Sequence, residues 1–282
     1  MKLRRAQVAG SFYSGTKSTL TTEIQECFTH RLGPGRLPTL AQVGERRLVG
    51  LVCPHAGYVY SGPVAAKAYF ELATDGRPNT IVIIGPNHTG EGSGVSMMSE
   101  GVWETPLGRV EIDRDTANAI SKESNIIDLD DRAHMYEHSI EVQLPFLQYV
   151  LQSSFAFVPI CMMMQDLETS AEVGKAVGQA LSGKDALVIA SSDMTHYEPA
   201  DSARRKDRLA IDAVLALDDT KLQETVESHR ISMCGHGPVA SMIAAAKMLG
   251  AKDARLLGYS TSGDVTGDHS SVVGYLAVSI HK

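Results

Sequence analysis

Hydrophobic and polar positions along this chain follow two alternating periods. Short apolar runs rich in Val and Ile occur at Leu48–Cys53, Thr80–Ile84, Phe155–Ile160, Ala186–Ala190, Ala254–Tyr259 and Val272–Ile280. Runs of this length, bounded by Gly, Pro and polar residues, predict buried strands. Between most of them, apolar residues recur at helical spacing over Pro63–Leu72, Arg114–Glu123, Glu137–Leu151, Leu167–Leu181, Ala203–Leu217 and Pro238–Leu249. Pro63 and Pro238 sit where a first helical turn tolerates proline, because the missing N–H would be unpaired there anyway. Strands alternating with helices predict an α/β fold with a largely parallel central sheet and helices on both faces.

One stretch departs from this rhythm. Gly94–Asp113 carries short β-like runs around Thr105-Pro106-Leu107-Gly108, a turn signal, and predicts an antiparallel hairpin or edge meander inserted into the α/β core. Gly33–Gly44 reads as a Gly/Pro-punctuated connector after a first helix. No internal repeat or low-complexity tract interrupts the pattern, so a single domain over residues 1–282 is expected.

Composition narrows the function classes. The chain has 282 residues, 43% hydrophobic and 21% charged, enough for a substantial core and ordinary for a soluble globular protein. A net charge of −7 argues against nucleic acid as a partner, since phosphate binding needs a basic face. The one local basic cluster, Arg204, Arg205, Lys206 and Arg208, is interrupted or flanked by Asp201, Asp207 and Asp212 and reads as a solvated helix face. No apolar stretch reaches the roughly 20 residues of a membrane span, and the start MKLRRAQVAGSFYSG lacks a signal-peptide core. Cys27, Cys53, Cys161 and Cys234 lie far apart with no C-x-x-C pair, which suits reduced thiols and a cytoplasmic location.

The polar residues then fall in a pattern. Parallel α/β sheets bind ligands at the carboxyl ends of their strands, where loops and helix N-termini converge. Leu48–Cys53 runs into Pro54-His55-Ala56-Gly57, Thr80–Ile84 into Gly85-Pro86-Asn87-His88, and Ala186–Ala190 into Ser191-Ser192-Asp193-Met194-Thr195-His196. Singly, each histidine reads as a hydrogen-bonded loop residue; three after strands of one sheet favour a shared site. Cys234 lies in Ser232-Met233-Cys234-Gly235-His236-Gly237-Pro238, a loop opening a helix, where a thiolate is favoured over a thiol. Cys27, Cys53 and Cys161 sit on apolar faces or strand ends and read as ordinary core residues.

Other clusters compete less well. His134 and His138 are four apart, and His138 and Glu141 three apart, so each pair would share a helix face. The order lacks the H-E-x-x-H of a zinc protease, which leaves a cleft-lining, hydrogen-bonding role for the cluster. His236 reads either as a further ligand or as a loop residue, and Gly263–His269 as a cleft wall. Gly85–Gly90 lacks the G-K-[ST] of a phosphate loop, and no G-x-S-x-G elbow appears.

Taken together, Gly10-Ser11-Phe12-Tyr13, Pro54-His55-Ala56-Gly57-Tyr58, Gly85-Pro86-Asn87-His88, Glu137-His138-Ser139, Ser192–His196, Cys234-Gly235 with Pro238, and Val273-Gly274-Tyr275 resemble the MEMO1 family over nearly the whole chain. That family is similar in fold to class III extradiol dioxygenases of the LigB type, which hold non-haem Fe(II) with two histidines and a carboxylate. The resemblance implies His55, His88 and Cys234 as metal ligands, with thiolate in the carboxylate's place, and His196 with Asp193 beside it as acid–base residues. Softer sulfur ligation points to Fe(II) or Cu, with Zn as a further option, and the first expectation is therefore a metal-dependent, dioxygenase-like oxidoreductase. Its rival is a non-catalytic accessory protein that binds a peptide or small molecule in the cleft. The resemblance also associates such chains with AMMECR1-like and radical SAM proteins. Hydrolysis by zinc-bound water ranks last, because nothing positions a general base for one bond.

Overall fold

The computed structural model describes residues 2–42 and 46–282, so the Gly44 end of the expected connector lies outside the described residues. The first half contains β1 (Leu3–Arg4), α1 (Lys17–Thr29), β2 (Leu48–Cys53), α2 (Tyr58–Asp75), β3 (Thr80–Pro86), β4 (Val95–Met97), β5 (Val102–Thr105), β6 (Gly108–Ile112), α3 (Arg114–Lys122) and β7 (Asp128–Leu129). The second half contains α4 (Leu144–Leu151), β8 (Ala156–Met162), α5 (Leu167–Ala180), β9 (Ala186–Ser191), β10 (Asp193–Glu198) and α6 (Ala200–Leu215). It closes with α7 (Asp219–Ser228), α8 (His236–Met248), β11 (Asp253–Thr261), the single turn α9 (Gly263–Thr266) and β12 (Val272–His281).

One sheet runs in the order β1-β5-β6-β8-β3-β9-β2-β12-β10, with β11 on β12 and β4 on β8. The consecutive pairs from β6 through β8, β3 and β9 to β2 are parallel, while β12 pairs antiparallel with β2, β10 and β11. The result is a single α/β domain with a mostly parallel, mixed sheet. Side chains alternate across a strand, so each central strand feeds two cores. Along β2, Val49 and Val52 join one buried cluster, and Leu48, Leu51 and Cys53 join the other. The first cluster takes in residues of α3, α5, α6, α7 and α8, such as Ala117, Val173, Ile211, Leu222 and Ile243; the second takes in α1, α2 and α4 through Ile24, Tyr69 and Phe146. Helices thus cover both faces, which explains why the central strands read as unbroken apolar runs.

The hairpin expected near Thr105–Gly108 is present: β5 and β6 are antiparallel and Thr105 pairs with Gly108 across the turn. It extends the sheet beyond β8 through the parallel β6–β8 contact.

Three expectations need correction. Helix α2 starts at Tyr58, so Pro63 lies inside it and not in its first turn. The proline removes a bond to the carbonyl of Val59, a residue 63% exposed, so water can take its place. The expected helix over Glu137–Leu151 is regular only from Leu144; a single 3-10 turn, Glu141–Gln143, precedes it. Finally, His196 is on a short strand, β10, and not in a loop. Three of the four basic residues of this cluster on α6 are paired at the surface, Arg204 with Asp264, Lys206 with Glu198 and Arg208 with Asp212. Among the described residues no helix is long and apolar enough to cross a membrane.

Candidate metal centre

Strands β3, β9 and β2 are adjacent and parallel, so their carboxyl ends share one edge, and Cys53 pairs with Ser191 at that end. His55 and His88 leave β2 and β3 there, and β10 begins one residue after β9. The three meet at a cleft of about 700 Å³ lined by His55, His88, His138, Asp193 and His196, with Phe12, Tyr60, Tyr197 and Tyr275 among the walls. Ser262, Thr266 and Asp268 from the loop between β11 and β12 close the far side, as the sequence suggested for Gly263–His269.

His55 is buried, and its ring centroid lies 5.2 Å from that of His88 and 5.5 Å from that of His138. His88 and His138 stack at 4.7 Å. One ligand atom from each of His55, His88 and His138 can be chosen so that all lie within 4.8 Å of one another, a group that could hold a metal ion. Cys234 approaches from another side, its Sγ 3.1 Å from His55 Nε2.

His138 was the residue that sequence reasoning placed on a helix face with His134. The two are separated instead. His134 ends a 3-10 turn and is buried beside Trp103, while His138 lies in the irregular segment that follows and faces the cleft. The cause is Glu137, whose Oε1 accepts the backbone N–H groups of His138 and Ser139, both at 2.8 Å. A side chain that captures the next two N–H groups competes with helical hydrogen bonding and bends the chain. The same carboxylate accepts the backbone N–H of His88 at 2.5 Å through Oε2 and its Nδ1 at 2.9 Å through Oε1. Burial alone would raise the pKa of Glu137, but the hydrogen bonds and charges of His88 and His138 outweigh it and hold the group at about 2. An ionised carboxylate only accepts, so His88 Nδ1 carries a proton, and in the neutral imidazole the lone pair lies on Nε2. Carboxylate behind imidazole is the arrangement that orients metal-binding histidines.

Burial, then the charges of His138, His88 and His196, push the pKa of His55 well below its ordinary value, so it is a neutral donor. Burial pushes the Cys234 thiol up, with Asp193 adding to the effect, and outweighs the advantage expected from its place before α8. The backbone N–H of Asp193, 3.3 Å from Sγ, supports negative charge on sulfur, and a bound cation would reverse the balance. Asp193 is buried, accepts the His55 N–H at 2.8 Å, and has its pKa raised to about 6 by that burial. It does not hold the His196 ring: His196 Nδ1 donates to the carbonyl of Ser232 at 2.8 Å. That contact leaves Nε2 of His196 free at the cleft. His236 donates through Nδ1 to Gln223 Oε1 at 2.7 Å.

The donor set fits a transition metal. The imidazole nitrogens of His55, His88 and His138 suit a transition metal better than Mg or Ca, and the Cys234 sulfur lies beside one of them. With metal–sulfur and metal–nitrogen bonds of about 2.3 and 2.0 Å, two donors 3.1 Å apart can share one ion.

Comparison with known proteins places the chain in context. The family profile described as "Memo-like protein" matches residues 4–279. A MEMO1 family protein of Methanothermobacter thermautotrophicus is 55% identical over 98% of this chain and 100% of its own length. Another, from Methanopyrus kandleri, is 53% identical over 99% of each chain, and one from Methanocaldococcus jannaschii 47% identical over 99% of each. Among solved structures, an uncharacterized protein from Escherichia coli K12 is similar in fold, with a TM-score of 0.54 at 14% identity over 83% of this chain and all of that one. With a match from end to end at these identities, the chain belongs to the MEMO1 family.

Proposed function

We propose that the cleft holds a redox-capable transition metal, Fe(II) or Cu, through His55, His88 and Cys234, and that the protein is a dioxygenase-like oxidoreductase. The observation that supports this reading is a pair of contacts at one sheet end: Glu137 backs the His88 ring, and the Cys234 Sγ lies 3.1 Å from Nε2 of the neutral His55. When bound, such an ion supplies one-electron chemistry and open coordination positions. Around it the chain's own groups have distinct tasks. His55 and His88 offer their Nε2 atoms, and the Asp193 N–H steadies the sulfur. His196, oriented by the Ser232 carbonyl, receives or delivers a proton at Nε2. Asp193, with its pKa near 6, is a second group able to exchange a proton at neutral pH. Phe12, Tyr60 and Tyr197 add aromatic surface to the lining of the cleft.

The LigB-type relationship belongs to this proposal, with a thiol where those enzymes carry a carboxylate. The third ligand has a rival in His138. Protein purified without oxygen and analysed for metal tests the assignment. His55→Ala, His88→Ala and Cys234→Ser are each expected to lose the metal, and His138→Ala to retain it. Full retention in Cys234→Ser with loss in His138→Ala would replace the N/S site by a three-histidine one. Full retention in His55→Ala and His88→Ala would reject the site.

A further inference from the structure

Beneath His55 runs a chain of buried side chains that the metal reading does not require in itself. Ser191, the last residue of β9, is fully buried, and its Oγ lies 2.9 Å from His55 Nδ1. The same hydroxyl donates to the carbonyl of Ser139 at 2.7 Å and accepts from Gln143 Nε2 at 2.9 Å. Gln143, also buried, gives its second amide hydrogen to the Pro54 carbonyl at 3.0 Å and accepts the Tyr69 hydroxyl on Oε1 at 2.7 Å. Tyr69 stands on α2, Pro54 follows β2, Ser139 precedes the 3-10 turn, and Gln143 ends it. One amide therefore ties four segments of chain together beneath the site.

The proton count fixes the rest. Pro54 and Ser139 present carbonyls, which only accept. Gln143 must then face Pro54 with its NH2 group, and both its hydrogens are used. The single hydrogen of Ser191 goes to Ser139, and one of its two lone pairs is taken by Gln143. The remaining lone pair can only be met by an N–H, so His55 Nδ1 must carry the proton. Nε2 is left with its lone pair pointing at Cys234 Sγ, 3.1 Å away. His88 reaches the same tautomer by another route, through an anionic carboxylate, whereas the lock on His55 is neutral.

We infer that Ser191 and Gln143 are positioning residues that hold His55 as its Nδ1–H tautomer and so present Nε2 to the cleft. A neutral lock suits this position. A third carboxylate at this depth would have to be desolvated, and the buried site already contains the carboxylates of Glu137 and Asp193. Ser191→Ala removes the acceptor that selects the tautomer, while Ser191→Thr keeps it.

The tautomer part of this inference stands on the structure alone; only its effect on metal affinity rests on the proposed metal site. Nitrogen-15 NMR of the histidine side chains in metal-free protein reads the tautomer directly. Wild type and Ser191→Thr are expected to show His55 protonated at Nδ1, and Ser191→Ala a mixture of tautomers. An Nε2–H His55 in wild type, or an unchanged spectrum in Ser191→Ala, would overturn the inference, and the wild-type spectrum suffices if the alanine variant does not fold. Titration with Co(II) gives the second arm. Ser191→Ala is expected to bind about 10- to 100-fold more weakly, the usual loss on removing such a partner, with Ser191→Thr near wild type. Equal affinity in Ser191→Ala would reject the positioning role. No Co(II) binding by wild type would reject the metal site and leave the tautomer result standing.

Discussion

Glu141 offers the sharpest energetic test of how the N-terminal segment is fastened to the site. Its side chain is fully buried, and its two oxygens accept from Arg4 Nη1 at 2.6 Å, the Val8 N–H at 3.0 Å, the Gln7 N–H at 2.9–3.0 Å and the Tyr13 hydroxyl at 2.6 Å. Arg4 is equally buried and also donates to the carbonyls of His134 and Glu137. Glu141→Ala therefore leaves a guanidinium and three neutral donors without their acceptor. Breaking a buried ion pair from one side costs about 3–5 kcal/mol. Each stranded neutral donor would add roughly 1–3 kcal/mol if it stayed dry, but the space vacated by the carboxylate admits water, so the pair figure is the better guide. At about 2–4 °C per kcal/mol for a chain of this size, the melting temperature should fall by on the order of 10 °C. Thermal and urea unfolding followed by circular dichroism measure this. Phe12, whose ring lies 4.7 Å from that of His138, belongs to the same segment, so proteolysis near residues 7–13 should accelerate as well. A loss below about 1 kcal/mol, the scale of an exposed pair, would refute the reasoning. In Arg4→Met/Glu141→Leu the orphaned charge is gone, and the loss should be well below the sum of the single changes.

Three further outcomes follow from particular contacts. His134 is fully buried with neither ring nitrogen in a well-formed hydrogen bond among the described residues, and burial followed by the Arg4 charge outweighs the nearby Ser96 backbone and lowers its pKa from 6.5 to about 4. The unfolded chain takes up this proton between pH 6.5 and 4 while the folded chain does not. Stability is therefore complete above that window and drains as pH falls through it, by up to about 3 kcal/mol; His134→Leu should flatten urea-measured stability over the window, and an unchanged slope would contradict the assignment. In Gly235→Ala the new Cβ would lie 2.4 Å from the Ser191 carbonyl oxygen, so the loop must move and carry Cys234 away from His55. Metal content should fall as far as in Cys234→Ser while the fold, read by circular dichroism, persists; wild-type metal content would count against it. Asp166 caps α5, accepting the Thr169 N–H at 2.9 Å and its hydroxyl at 2.7 Å, so Asp166→Ala should cost about 1 kcal/mol in urea unfolding, and no change would count against the cap.

Features set by local sequence are legible in the residues alone. His55 and His88 follow unbroken apolar strands, and a parallel sheet brings such strand ends together, so their approach needed only the strand pattern. The Thr105–Gly108 turn was equally local. His138 was not legible, because its position depends on Glu137 binding the N–H groups of His88, His138 and Ser139, a contact between residues 49 apart in part. The four-residue spacing of His134 and His138 suggested a helix, and the carboxylate overrode it. The one available signal was that Pro145 must lie near the start of a helix, which shortens the regular part. The partner of His196 likewise escaped sequence reasoning: it is a backbone carbonyl at Ser232, which no residue type announces. Gln143 and Ser191 carry no motif at all, and their role rests on a proton count that only the packed structure supplies.

The central claim is that His55, His88 and Cys234 ligate one metal ion, and X-ray absorption at the metal edge tests it most directly. On protein loaded with Fe(II) or Cu under anaerobic conditions, imidazole nitrogens are expected at about 2.0–2.1 Å and one sulfur at about 2.3 Å, with the sulfur absent in Cys234→Ser. A wild-type spectrum of nitrogen and oxygen neighbours alone, unchanged in Cys234→Ser, would contradict it.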